Sequence, residues 1–493
     1  MAHDEYSYLL GAETFLRGRL TNPPHPMARH FETFHVLQRP TYASKYPPAN
    51  ALFIAAGWKV GGEPYVGVAL SFAFMCVSLG WMLQHWVGRT LGFGLALAIG
   101  LRLSATYWAT SYWGGAVAAG AGALILGGVS RVLREPSTAK ASTTVRNTVM
   151  IALGLLLLAN SRPYEGLWFS LPIMVVLLVH LVRRHGASNG VLLRRAVVPF
   201  VLVMAAGGGA MLTYNHAVTG RWTEMPYAAY AKARDPVPVF LWQKAPRFTP
   251  PTDTVLRRFL EESLVQYTKA RTPRGRAKFL YEASGFVPFL FPALVLFPFL
   301  LLPLLVRHRP TQLALAATAS TLFGMSLTTY YFHHYGAAAT AALLAVYGAC
   351  LRLLGRLRVG HRHIGGPLTT AVLALWVCVT LADTASRVGT RKAKLGWADH
   401  RRVIADSLAR GPSRNVVFVR YIQPHPSESE WVFNSADIDA SPVVWARDMG
   451  AQNEELLRYY SDRNAWIVDV GGDDGPFPVR PYRNNGQATG TGP

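Results

Sequence analysis

Apolar runs recur along the chain at approximately 65–87, 91–107, 114–133, 147–161, 165–182, 196–214, 285–306, 311–330, 336–355 and 367–384. A run of roughly 18–20 apolar residues reaches across a bilayer, and a backbone in lipid must satisfy its own hydrogen bonds, so the pattern predicts about ten spanning helices. Ala51–Gly61 is apolar but shorter, and it either lies in the interface or extends the next helix. Three segments break the pattern. Residues 1–50 are polar and aromatic, rich in Pro, His and Tyr, and read as one long loop from Asp4 to Asn50. Residues 215–284 form a second long segment that mixes aromatics (Tyr227, Tyr230, Phe240, Trp242) with bases; loops beyond about 12–15 residues usually carry function or structure of their own. Residues 386–493 change character: Val416–Arg420 alternates like a strand, Ala451–Tyr460 is helix-like, Ala465–Val470 is a second strand candidate, and Asn484–Pro493 looks disordered. The expected organisation is therefore 1–50, 51–214 (helices), 215–284, 285–385 (helices) and 386–493: an all-α polytopic membrane protein with a small external α/β domain at its C-terminal end.

The basic residues give orientation. Arg89; Arg131, Arg134, Lys140 and Arg146; Arg183, Arg184, Arg194 and Arg195; Arg307 and Arg309; and Arg352, Arg356, Arg358 and Arg362 fall in alternate connections. The intervening short connections, Tyr107–Trp113, Asn160–Gly166 and Tyr331–Gly336, carry only Arg162. Short basic loops stay cytoplasmic, so segments 1–50, 215–284 and the tail face outward, and the chain belongs in the cell (inner) membrane with its tail periplasmic or extracellular. An external first segment holding Arg17, Arg19, Arg29, Arg39 and Lys45 requires an exporting element, and a further helix upstream of Met1 is expected. The net charge of +22 is thus a signal of topology and of anionic lipid contact, not of nucleic acid. Cys76, Cys350 and Cys378 lie inside apolar runs and form no disulfide or zinc pattern.

The candidate chemistry gathers on the external side. Asp4 and Glu5, beside Tyr6 and Tyr8, are either an acidic helix start or a general base for an acceptor hydroxyl. Lys45-Tyr46-Pro47-Pro48 ends the first segment, and the prolines fix the backbone there; Lys45 either pairs with a phosphate or snorkels to the interface. The stretch Tyr107, Trp108, Tyr112, Trp113 and two glycines is an aromatic belt or a substrate lining, with Arg102 a turn and a half below it as an intramembrane charge. Arg162 and Glu165, flanking Tyr164, are a structural pair or an Arg fork on phosphate. His333-His334-Tyr335 offers a phosphate donor or an interface anchor; adjacent histidines point about 100° apart on a helix, a poor geometry for one metal. No Walker or GxGxxG nucleotide motif occurs.

Asp4-Glu5, Lys45-Tyr46-Pro47-Pro48, Asn160–Gly166 and His334-Tyr335 together resemble membrane glycosyltransferases of the GT-C fold, especially bacterial relatives of protein O-mannosyltransferases and of rhizobial lipopolysaccharide core glycosyltransferases. The resemblance spans roughly residues 1–385. It implies a GT-C-like helical bundle, a polyprenyl-phosphate sugar donor, a lipid, glycan or protein acceptor, and inverting transfer. By that analogy Asp4 is the base with Glu5 the weaker candidate, and Lys45, Arg162 and His334 contact the donor phosphate, with His333 and Arg102 as further candidates. Tyr6, Tyr46, Tyr107, Trp108, Tyr112, Trp113, Tyr164, Glu165 and Tyr335 would line the substrate. No cofactor is expected, and no residue pattern indicates a divalent metal. The alternatives are a transporter or flippase for a lipid-linked or anionic solute, and a non-catalytic assembly protein that binds through its tail.

Overall fold

A computed structural model describes residues 3–135, 140–183, 190–245, 254–390, 396–423, 425–426, 428–472 and 475–482; the expected disorder of Asn484–Pro493 lies outside them. The first fifty residues are not one loop. They open with helix α1 (His3–Leu16) and continue through an antiparallel ribbon of β1 (Val36–Leu37) and β2 (Ala43–Ser44), with Val36 opposite Ser44. The helix escapes a periodicity reading because protein covers both of its sides: Leu10 packs in one apolar cluster, and Tyr8 and Ala12 in another. No polar face is left to alternate with an apolar one.

The apolar run at Ala51–Gly61 is helix α2 (Pro48–Gly61), started by a proline at its first position and stopped by Gly62 in the left-handed conformation at φ 76°. It turns back directly into α3 (Pro64–Val87). The bundle continues with α4 (Arg89–Ser104), α5 (Gly115–Arg134), α6 (Ala141–Ala159), α7 (Pro163–Arg183) and α8 (Gly190–Thr219). The second long segment holds α9 (Pro226–Ala233), α10 (Thr254–Ala270) and α11 (Pro273–Ser284). Then come α12 (Arg309–Ser326), α13 (Ala339–Leu354) and α14 (Gly365–Thr390).

Among the described residues six helices are long and apolar enough to cross a membrane, against the ten expected: α3, α5, α6, α7, and the apolar parts of α8 and α14. The run at 285–306 is not a straight helix. Prolines 288, 292, 298 and 303 interrupt it, and Pro273–Leu290 and Ala293–Leu304 meet at a 76° bend that counts as a seventh span if taken as one. Helices α4, α12 and α13 are apolar runs that fall short by length or hydropathy. Helix α5 sits at the centre, with 89% of its apolar window buried. Its glycines allow this: Gly122 faces the Ala338 backbone and Gly128 the Asn147 carbonyl.

The basic residues expected on the cytoplasmic side cap one end of the bundle. Arg131 lies 3.8 Å from the Trp81 ring and donates to the Trp81 carbonyl, and Arg352 donates to the Trp86 carbonyl at 3.0 Å. The tail is an α/β unit, as expected. Strands β5 (Asn415–Tyr421), β6 (Val443–Arg447), β7 (Asn464–Val470) and β8 (Val479–Pro481) form a sheet in the order β6-β5-β7-β8, parallel except for β8; β3 and β4 are a short exposed hairpin at Arg358–Val359 and Arg362–His363. Helix α15 (Trp397–Ala409) leads into the sheet and α16 (Asn453–Tyr459) joins β6 to β7. One face of the sheet packs against Leu10, Phe31, Val36 and Tyr42 of the first segment.

Candidate functional site

The acidic end of α1, the end of the β1–β2 ribbon and the segment that carries α9 meet at one point. Ser7 locks the helix to the ribbon, with its hydroxyl donating to the His35 carbonyl at 2.7 Å and lying 2.8 Å from Ser44 Oγ. This places Tyr46 so that its hydroxyl donates to Asp4 Oδ1, while its ring stacks on Tyr8 at 4.3 Å. Two imidazoles flank the same carboxylate: His3 Nδ1 at 3.2 Å and His35 Nε2 at 3.5 Å. Burial pushes the Asp4 carboxyl up, but His35, His3, the Tyr46 hydroxyl and Lys45 outweigh it and hold it below the usual carboxylate range. Burial drives His35 well below the ordinary imidazole value, and Lys45 reinforces that. At neutral pH His35 is therefore neutral, and the ionised Asp4 rests on the Tyr46 hydroxyl and on Lys45 rather than on an imidazolium at position 35. The Asp4 side chain keeps 29% of its exposure, so it faces open space. His35 is also the one described non-glycine residue at positive φ, 62°. Outliers of this kind persist where surrounding structure over-determines them. The ligand atoms of His3, Asp4 and His35 lie within 4.8 Å of one another, which makes this trio the group able to hold a metal ion among the described residues.

Lys45 does not snorkel. It is 4% exposed, and its ammonium sits 4.8 Å from the rings of Tyr227 and Tyr230 and 5.3 Å from that of Tyr46. Burial pushes it below the ordinary lysine value, and Asp235 and then Asp4 push it back. Among the described residues no carboxylate lies at ion-pair distance from it. Asp235 is itself mostly buried, with Oδ1 unpartnered, and burial raises its carboxyl. A narrow cleft opens beside Lys45, lined by Pro47, Pro48, Asn160, Met211, Tyr214 and Tyr227 among others.

Arg162 stands in the turn between α6 and α7, 4.9 Å from the Tyr335 ring, and donates to the Trp113 carbonyl at 3.3 Å. No ion pair joins it to Glu165 among the described residues; Tyr8, Glu165 and Tyr335 hold the guanidinium cationic against burial. His334 is 5% exposed, and burial together with Arg162 drives it well below the ordinary value. Its backbone N–H donates to the Tyr107 hydroxyl at 2.9 Å, and that hydroxyl lies 3.1 Å from His334 Nδ1. The hydroxyl keeps its proton free for Nδ1, and in the tautomer that accepts it the neutral imidazole carries its own proton on Nε2. Asp4 acts on His334 and on Tyr335 electrostatically, so the two halves share one neighbourhood.

The other sequence candidates lie elsewhere. Glu5 is 7% exposed and accepts from the Tyr112 N–H at 3.1 Å, while Asn50 donates to the Tyr112 carbonyl; both hold the aromatic stretch in place. Tyr6 is packed against the tail, stacked on Phe433 at 4.4 Å. Trp108 is 2% exposed under Gly115, and Trp113 packs 5.1 Å from His334. His333 points the other way, stacked on Phe289 at 4.7 Å. Tyr164 donates to the Gly324 carbonyl. Arg102 is paired with Asp383 at 2.7 Å and donates to the Pro288 and Phe289 carbonyls, clamping α4 to α14 and to the broken segment. Sequence reasoning did not single out His3, His35 or Asp235. The signals available were the positions of the histidines, one residue before Asp4 and ten before Lys45, and the Tyr227/Tyr230 spacing that puts two rings on one face of α9.

No protein-family profile matches the chain, and no curated protein matches it. Solved structures do. ArnT from Cupriavidus metallidurans bound to undecaprenyl phosphate superposes with a TM-score of 0.50 at 14% identity, over 94% of this chain and 88% of that one. ArnT in the apo state gives 0.48 at 13% identity, over 95% and 88%. The oligosaccharyltransferase AglB from Archaeoglobus fulgidus, in complex with an inhibitory peptide and a dolichol-phosphate, gives 0.40 at 11% identity, over 95% and 65%. At this identity the likeness to ArnT concerns architecture: the chain has the GT-C fold.

Proposed function

We propose that the chain is a membrane glycosyltransferase that moves a sugar from a polyprenyl-phosphate carrier to a hydroxyl on a lipid, glycan or protein acceptor at the external face of the cell membrane, with inversion. The observation that carries this reading is the pairing of an ionised, part-open carboxylate, Asp4, with two cations, Lys45 and Arg162, and a neutral donor, His334, at the end of the bundle opposite the Arg131–Arg352 cap. In the reaction the acceptor hydroxyl gives its proton to Asp4 as its oxygen attacks the anomeric carbon from the face opposite the phosphate. The bond from that carbon to the phosphate oxygen breaks, and its electron pair leaves with the carrier phosphate. Lys45 and Arg162 neutralise the charge that builds there, and His334 Nε2–H can donate to it. Asp4 is a weak base, so its proton arrives as the new C–O bond forms rather than before. The reaction as written needs no cofactor.

A lipid carrier suits the surroundings of Lys45. The adjoining pocket is lined by α8, of whose apolar window only 6% is buried, so an isoprenyl chain can approach from the bilayer. The ArnT structure with undecaprenyl phosphate, of the same fold, supports a lipid phosphate as the ligand. A transport path is less well supported: it would need charges along the spans, and the intramembrane Arg102 is paired with Asp383. The test is a membrane-fraction assay with a panel of polyprenyl-phosphate sugars, run on the wild type and on Asp4→Asn. Transfer is expected to vanish in the variant while insertion and thermal unfolding stay normal; transfer that survives would remove Asp4 as the base.

A further inference from the structure

Helix α1 carries Asp4 in its first turn, and the C-terminal domain grips one stripe of that helix. Tyr6, Leu10, Glu13 and Arg17 recur at helical spacing and share a face. The Tyr6 ring stacks on Phe433 at 4.4 Å, with Trp397 at 5.9 Å. Arg401 of the tail closes over them: its guanidinium lies 5.5 Å from the Tyr6 ring and 4.6 Å from Trp445, and it donates to the Trp431 and Phe433 carbonyls at 2.8 and 2.5 Å. Leu10 is 3% exposed in a cluster with Val416, Phe418 and Val444 of the sheet. A Glu13 carboxylate oxygen accepts from the Ala436 N–H at 2.9 Å, and Arg17 lies 3.7 Å from Asp437. On the opposite side Tyr8 and Ala12 pack on Ala51, Ile54 and Ala55 of α2. Further ties hold the rest of the first segment: the Tyr42 hydroxyl donates to the Asn434 carbonyl at 3.1 Å, and Arg447 Nε to the Glu32 carbonyl at 2.6 Å.

We propose that the C-terminal α/β domain is a positioning element of the transfer site: by gripping the Tyr6–Leu10–Glu13–Arg17 stripe it holds the opposite face of α1 against α2, and so fixes where the Asp4 carboxylate stands relative to Lys45. A domain that served only to capture a partner would need a linker, not a docked stripe, buried at Leu10 and half-buried at Tyr6 and Glu13, along the helix that carries the base. Arg401 and Glu13 are positioning residues in this scheme; neither touches substrate. The inference rests on the glycosyltransferase reading for its kinetic arm alone.

The experiment uses the full chain in nanodiscs. Two readouts are taken on Arg401→Met, Glu13→Ala and Glu13→Gln: transfer kinetics with a polyprenyl-phosphate sugar, and hydrogen exchange of the α1 amides. A misplacement near 1 Å costs on the order of a hundredfold in rate, so Arg401→Met and Glu13→Ala are expected to lower kcat by roughly 10- to 100-fold with donor and acceptor KM within about twofold. Glu13→Gln keeps an oxygen for the Ala436 N–H and is expected to recover most of the rate. Exchange of α1 should quicken in Arg401→Met and Glu13→Ala while α5 stays protected. An unchanged kcat with unchanged α1 exchange overturns the proposal, as does a raised acceptor KM at unchanged kcat, which would make the tail a binding module. Glutamine as damaging as alanine also overturns it. If Arg401→Met does not accumulate, the Glu13 pair carries both readouts. If the wild type transfers no sugar from any donor, it is the glycosyltransferase reading that fails, and α1 exchange alone decides whether the tail holds the helix.

Discussion

The crossing of α2 over α3 offers a direct test of how the membrane bundle sets the site. A Cβ built on Gly57 would come within 2.5 Å of the Val66 carbonyl carbon and closer still to the Gly67 nitrogen and Cα, all of them backbone atoms that cannot turn away. Ordinary carbon contacts need about 3.5–4.0 Å, so Gly57→Ala must separate the two helices by about 1 Å or more. Forcing a methyl into a packed crossing costs about 1–3 kcal/mol. The displacement reaches the chemistry because α2 is rigid and begins two residues after Tyr46, whose hydroxyl holds Asp4. A misplacement of this size near reacting groups costs on the order of a hundredfold. Gly57→Ala is therefore expected to lower thermal stability in detergent modestly and transfer strongly. Gly80→Ala is the control: it lies in α3 too, but its Cβ would meet only the Ala96 methyl at 3.6 Å, and a change within about 0.5 kcal/mol is expected. Stability and transfer are read on the same detergent-purified samples. Wild-type transfer by Gly57→Ala, or equal effects from the two alanines, would refute the claim that this crossing sets the position of Tyr46.

Three further outcomes follow from the geometry. Lys45 must be protonated to receive a phosphate, and Asp235 is the first of the groups that hold it protonated against burial, so Asp235→Asn should move the alkaline limb of kcat/KM to lower pH; a limb that stays put or moves upward would contradict this. Tyr107→Phe strips the group that satisfies the His334 N–H and sets its tautomer, leaving a buried donor unpaired at a cost of about 1–3 kcal/mol, and transfer should fall at least several-fold; an unchanged rate would take His334 Nε2–H out of the mechanism. Asp383→Asn breaks a part-exposed pair with Arg102, 15% and 34% exposed; exposed pairs measure about 0.2–1 kcal/mol, so a loss near 1 kcal/mol with normal transfer is expected, and a lost rate without lost stability would return Arg102 to the site.

How far each feature was legible depends on what fixes it. Spanning helices are written in long apolar runs because lipid satisfies no backbone group, and that constraint acts on every residue of the run. The 285–306 run misled because hydropathy is blind to backbone: Pro288, Pro292, Pro298 and Pro303 were the readable signal, and they bend the segment that the apolar count joined. Strands β5 and β7 were visible in their own residues; β6 was not singled out, although it is buried on both faces much as β5 is. Helix α1 lost its stripe to two partners, one of which lies more than 380 residues further along the chain. The site divides in the same way. Asp4, Lys45, Arg162 and His334 could be proposed from residue type and sidedness. His3, His35 and Asp235 join them through tertiary closure, with only the place of each histidine near Asp4 or Lys45 as a signal, and Tyr227 and Tyr230 through a spacing that shows their shared face but not the ammonium it meets. Arg102 and Arg162 make the distinction plainest. Both are lone arginines near the ends of apolar runs, and nothing local separates them. What separates them is the partner across the bundle: Asp383, 281 residues away, binds the first guanidinium, while among the described residues the second meets only a ring and a carbonyl. An arginine committed to an acid clamps helices, and one left facing aromatic rings can still bind an anion. That difference is why the proposed transfer places the carrier phosphate near Arg162 and not near Arg102.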